Sequence, residues 1–153
     1  MSDSFFNYPG QTLAENVQQK LFGRFQDGDW EKLVKFAALR SFADESVIFE
    51  GAQAEFAAYL LTSGSVLLTE QAPGSFLTIN RRLEPGSAFG LLSFFDRRAN
   101  VMRATAIGAV ETLVLTDAML ERLAVWEPRV AMIVVRDLAS VVAGILRHHA
   151  KLV

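Results

Sequence analysis

Four glycine turns divide the middle of this chain. Glu50-Gly51, Ser63-Gly64, Pro73-Gly74 and Pro85-Gly86 fall within residues 40–115, each a recognisable turn signal. Between them lie short runs rich in Val, Ile, Leu, Phe and Thr, at 47–49, 56–61, 66–70, 76–80, 101–106 and 112–115. Short apolar runs separated by turn residues at about 8–12-residue spacing fold as an antiparallel sandwich or barrel.

The flanks are helical. Leu13, Val17, Leu21 and Phe25 recur every four residues, which predicts a first helix that Gly28 ends. Asp29 is the expected N-cap of a second helix over 30–38, with Glu31 in its first turn. After the strands, Thr116 or Asp117 starts a helix that runs to about Trp126. Pro128 then stands where its missing N–H costs nothing, at the start of a new helix. From Val130 to Leu146 that helix is apolar nearly all round, so it needs cover from its own domain and from a second copy of the chain. Gly144 beside Ala143 allows close helix approach. The expected organisation is one domain over 1–153: helices at 11–38, strands at 40–115, and hinge and long helices at 116–153.

Several function classes are excluded by what the chain lacks. Its 153 residues suit one core, and with 51% hydrophobic and 21% charged residues the composition is that of a globular protein. A net charge of -2 argues against direct nucleic-acid binding, which needs a basic excess. The chain contains no cysteine, so disulfides, thiolate metal sites and cysteine nucleophiles are ruled out. The longest apolar run, Val130 to Val135, is far short of a membrane span, and no secretion signal opens the chain. A cytoplasmic location follows as the expectation.

His148 and His149 are neighbours on a helix, pointing apart, and form no chelating pair. Asp44-Glu45 and Glu50 lie near turns, where solvated carboxylates are expected. Arg81-Arg82 are read as solvated loop charges, and Arg103 as an outward-facing strand residue with a structural salt bridge. With few bases and no activated nucleophile, the chain is not expected to be an enzyme.

The motifs along the strands carry a resemblance. "VIFEGA", "YLLTSGSVLL", "RLEPGSAFG" and "RRANVMRATA" follow one another at the corners of the strand region. Together with the flanking helices, they resemble the cyclic-nucleotide-binding domain family, of the type found in the catabolite activator protein and in regulatory subunits of cyclic-AMP-dependent kinase. The resemblance spans about residues 20–150. It implies an α+β fold: an antiparallel β jelly-roll (a double-stranded β-helix) flanked by N-terminal helices and a long C-terminal helix. It also implies a phosphate-binding cassette over Phe89, Gly90, Leu91 and Leu92, with Arg98 as the phosphate arginine and Ala99 as the small residue after it. In such a cassette, amides at a helix start and a guanidinium together hold an anion.

The chain departs from the family at Leu91, where the motif carries a glutamate that accepts from the ribose 2′-hydroxyl. A hydroxyl facing leucine goes unpaired, at roughly 1–3 kcal/mol, or about ten- to hundredfold in affinity. The cassette is also short, with only Asp96-Arg97 between Phe95 and Arg98. Ion pairing of Arg98 with Asp96 or Glu84 is the structural alternative for that side chain. On the long helix, Val141, Ile145 and Leu146 offer a base apolar contact and no hydrogen bond.

Two functions follow from this reading. The first is a non-catalytic ligand-sensing module that requires no cofactor, binds cyclic AMP, cyclic GMP or another small anion weakly, and signals through its C-terminal helices. The second is a ligand-free dimerisation or protein-interaction module whose pocket is plugged by Leu91, Leu92, Phe94 and Phe95. Either predicts a homodimer through the helix 130–146 and a separate effector protein. Neither predicts DNA contact, because residues 147–153 are too few for a winged helix.

Overall fold

The computed structural model describes residues 21–52, 55–70 and 80–150, without the side chains of residues 70 and 148–150. Ten elements follow in order: α1 (Asp29–Phe36), β1 (Ala38–Phe42), β2 (Val47–Gly51), β3 (Ala57–Glu70), β4 (Asn80–Leu83), β5 (Ala88–Phe89), α2 (Leu91–Asp96), β6 (Asn100–Thr116), α3 (Asp117–Trp126) and α4 (Pro128–Ala150). All strand pairings are antiparallel. β6 and β3 are the spine, β1 and β2 add to β6, and β4 and β5 add to β3. The arrangement is α+β, an antiparallel roll with helices on its flank.

Strand alternation divides the apolar residues between two cores. On β3, Tyr59 and Leu61 point into the roll, as do Val110 and Val114 on β6. Ala58, Leu60, Leu113 and Leu115 point the other way. There they join Leu33, Leu123, Val130, Val134 and Leu138 beneath the helices. β3 and β6 are therefore buried on both faces where they pair, from Ala57 opposite Thr116 to Leu61 opposite Thr112.

Several expectations are corrected. β3 runs without a break through Ser63-Gly64, which is a bulge and not a turn: the pairing with β6 shifts on both sides of Ser63. β6 is likewise one strand across both predicted segments. β1, which is not among the candidate strands, covers the last residue of the expected helix and the start of the expected strand region. Arg81 and Arg82 belong to β4, and Arg82 bonds both Glu84 and Ser65.

Asp29 does not cap α1. The N-cap is Gly28, with φ 89 and no side-chain cap. Asp29 is instead fully buried and accepts from the Gln26 amide at 2.7 Å and from Arg129 at 2.5 Å. The Arg129 guanidinium beside it holds its carboxyl below the usual carboxylate range. Residues 21–24, the predicted end of the first helix, form a turn. Most of that helix and of the 76–80 strand lies outside the described residues.

The C-terminal part is as expected. Thr116 caps α3, its Oγ1 accepting from the Met119 amide at 3.2 Å, and Pro128 opens α4. No helix among the described residues is long and apolar enough to cross a membrane.

Candidate functional site

The stretch after β5 is built around one glycine. Gly90 takes φ 75 at the start of α2, and a Cβ there would meet the Ala57 carbonyl oxygen and the Tyr59 ring at 2.9 Å. Only glycine fits both constraints. The backbone turn thus lies directly on β3.

Behind it, Phe89 stacks on Tyr59 with ring centres 5.1 Å apart, and Phe49 lies 5.5 Å from Tyr59 and 6.0 Å from Phe89. These three rings fill the end of the roll nearest the cassette. Burial pushes the Tyr59 phenol above its usual range. Beside them is a cavity of ≈10 Å³, room for about one water. Its polar lining comes from Glu55, Tyr59, Ser93 and Asn100. Ser93 Oγ donates to Asn100 Oδ1 at 2.8 Å, and Asn100 Nδ2 donates to the Gly51 carbonyl at 3.1 Å. Glu55 is held at the rim by Arg40, at 2.6 Å.

The six site residues read from the sequence separate into two sets. Phe89, Gly90 and Leu91 are at the buried side. Leu91, with Phe94, packs into the core beneath α3 and α4, and does not face the roll interior. Leu92, Arg98 and Ala99 are on the surface, and Leu92 is 54% exposed. Phe95 is exposed as well, so none of Leu91, Leu92, Phe94 and Phe95, the four residues expected to plug a pocket, joins Phe49, Tyr59 and Phe89 inside the roll. The reason is the length of α2: over six residues its buried stripe, at Leu91 and Phe94, turns to the helices.

The arginines also divide. Arg97 ends α2 in the left-handed region, at φ 57, and pairs with Asp117 in the first turn of α3. Arg98 donates its amide to Asp96 Oδ1 at 3.0 Å. Its guanidinium pairs with neither Asp96 nor Glu84, the two partners considered, and makes no contact of that kind with any described residue. Arg103, on β6, pairs with Glu50, which accepts from its Nε at 2.6 Å.

Sequence reasoning missed Ser93, Asn100 and the Arg97–Asp117 bridge. No local pattern in the sequence marks Ser93 and Asn100, which meet only through the turn that α2 makes between them. Among the described residues, no cluster of His, Cys, Asp or Glu is placed to hold a metal ion, and the side chains of His148 and His149 lie outside the description.

Comparison with known proteins agrees with this geometry. The cyclic nucleotide-binding domain family matches residues 39–125, more than half of the chain. No curated protein sequence matches it. Among solved structures, a cyclic nucleotide-binding domain from Methylobacillus flagellatus superposes with a TM-score of 0.79 at 15% identity, covering 99% of this chain and 81% of that one. The catabolite activator protein of Thermus thermophilus gives 0.74 at 24% identity over 85% of this chain. This chain spans 59% of the length of that protein. The N-terminal domain of a Streptomyces coelicolor transcriptional regulator gives 0.67 at 25% identity, covering 87% and 90%. The family match runs from β1 into α3, the solved structures share the fold, and this chain belongs to the cyclic nucleotide-binding domain family.

Proposed function

We propose that this chain is a regulatory module that self-associates through α4 and keeps its nucleotide pocket filled with its own side chains. One observation carries the reading. Along α4, Met132, Val135, Ala139, Val142 and Leu146 follow one another at spacings of 3, 4, 3 and 4 residues, with Val142 also packed against the domain core. Each is exposed or half-buried, while Val130, Val134, Leu138 and Val141 are buried in the domain. Alternating 3–4 spacing is the seam of a two-helix coiled coil. Small Ala139 in its middle lets two backbones approach, and α4 is long enough for about three heptads. The aromatic stack of Phe49, Tyr59 and Phe89 supports the second half of the reading, since beside it the roll leaves a cavity of only ≈10 Å³.

A second reading rests on Arg98. Its exposed guanidinium, without a partner among the described residues, suits a small anion such as a cyclic nucleotide held against Gly90 and Leu91. The α3 and α4 helices would then carry the signal to an effector protein.

One experiment separates the two. Sedimentation equilibrium is run on the wild type and Leu146→Glu, with thermal unfolding in millimolar cyclic AMP or cyclic GMP alongside. Self-association is expected in the wild type. Leu146→Glu should raise its dissociation constant at least tenfold, about 1.4 kcal/mol, and no nucleotide should move the midpoint. A ligand at a hundred times its dissociation constant would stabilise by about 2.7 kcal/mol, several degrees in a domain of this size. A shift of that size, abolished by Arg98→Ala, replaces the proposal with the ligand-sensing reading.

A further inference from the structure

The segment between residues 21 and 28 is held by two carboxylates that lie far from it or beyond it in the chain. Asp137, on α4, accepts the Phe22 amide at 2.6 Å and meets the Arg24 guanidinium at 3.5 Å. Asp29, at the start of α1, accepts the Gln26 amide, and Arg129 at the start of α4 binds its other oxygen. Both clasps end on α4.

Local turn bonds, from the Phe25 amide to the Phe22 carbonyl and from the Asp29 amide to the Gln26 carbonyl, both 3.0 Å, hold the segment only in part. Phe22 has φ 58, a left-handed conformation unfavourable for an aromatic residue, which persists only where surrounding contacts impose it. Those contacts are the Asp137 carboxylate and two rings, Phe25 at 4.9 Å and Trp30 at 5.4 Å. Packing beneath Phe22 is incomplete. An apolar void of ≈20 Å³ separates it from Tyr59, Leu60, Val134 and Leu138. The void wall includes Tyr59, which also stacks on Phe89 of the cassette. One side of the void is thus β3, and another is the helix carrying the seam.

We propose that residues 21–28 form a releasable strap, latched to α4 by Asp137, whose opening changes self-association through α4. This rests on the reading above. Closed, the strap covers Val134 and Leu138 and fixes α4 against the roll. Open, it uncovers that apolar face and frees α4 to shift against the sheet, so the seam is no longer presented at the same angle. Strain at Phe22 and the void beneath it favour opening, and the Asp137 bond opposes it.

The test is amide hydrogen exchange, residue by residue, on the wild type, Asp137→Asn and Leu146→Glu, with sedimentation equilibrium on the first two. In the wild type, the Phe22 amide is expected to exchange through a local opening, at least tenfold faster than the slowest amides of β3 and β6. Asp137→Asn is expected to speed Phe22 at least a further tenfold, leave the β3 and β6 amides unchanged, and alter the dissociation constant at least fivefold. Leu146→Glu should keep Phe22 protected as in the wild type.

Exchange of Phe22 only with global unfolding, which the wild type alone reveals, overturns the strap. So does an unchanged dissociation constant in Asp137→Asn once the strap has opened. A wild type that stays monomeric removes the self-association reading itself and the strap's output with it, and the Phe22 exchange rates then show separately whether the latch exists.

Discussion

A methyl group on Gly64 would lie 2.3 Å from the Ala109 carbonyl oxygen, and the residue takes φ +84. The oxygen belongs to the paired strand, so it cannot retreat without breaking the ladder. Gly64→Ala is therefore expected to cost at least about 1–2 kcal/mol from the backbone conformation alone, and more from the clash. Gly144 is the control, because a Cβ there meets nothing within 4 Å and the residue sits inside a helix. Gly144→Ala should stabilise by about 0.5–1 kcal/mol. Urea unfolding at equal slope compares the two, and a Gly64→Ala midpoint equal to the wild type's would refute the steric argument. The same chemistry explains a misreading of the sequence. A glycine after a serine signals a turn or a bulge with equal force, and only the length of the partner strand decides between them. Leu91 was legible as a lost acceptor, whereas the side to which it turns was not.

At the scale of elements, the cassette helix is tied to α3 by Arg97 and Asp117, and α3 is started by Thr116. The ion pair is more than a third exposed on the arginine side, so its contribution is under about 1 kcal/mol. The cap is stronger: Thr116 is buried and its hydroxyl serves a helix amide. Thr116→Ala should cost about 1 kcal/mol, and Thr116→Ser should restore most of it. Denaturant midpoints of both variants measure this, and equal losses would mean that the methyl group, not the hydroxyl, matters. Helices such as α3 and α4 were legible because a cap, a proline and a long apolar period coincide there. β1 was not legible. Ala37-Ala38 continue the helical composition of α1, and its alternation of half-buried and exposed residues carries little contrast. The cassette's approach and its glycine were readable from motif order. Its partners Ser93, Asn100 and Asp117 were not, because they depend on how far a six-residue helix turns before β6 begins.

At the scale of the molecule, one ion pair, a buried carboxylate with an exposed arginine, joins regions a hundred residues apart. Asp29 begins α1 and Arg129 begins α4, and between them they fix the helical layer on the roll. The bond to Arg129 is the main reason the Asp29 carboxyl titrates below its ordinary 3.8, opposing the effect of burial. In the unfolded chain the group returns to about that ordinary value. A carboxyl with a depressed folded value contributes stability that is complete above the unfolded value, where both states are ionised. As pH falls below about 4, the unfolded chain takes up the proton first, and the contribution drains away down to the folded value. Asp29→Asn removes the charge and one of the two acceptor oxygens, so the hydrogen bond it loses is present at every pH while the charge effect alone varies with pH, and the other carboxylates are common to both proteins. The variant should therefore melt below the wild type at pH 7, with a difference that holds down to about pH 4 and narrows below it. Thermal unfolding of the two proteins from pH 7 to pH 3 measures the difference directly. A gap of constant size across that range would mean that the pair joins α1 to α4 by shape and hydrogen bonding alone, with no contribution from its charge.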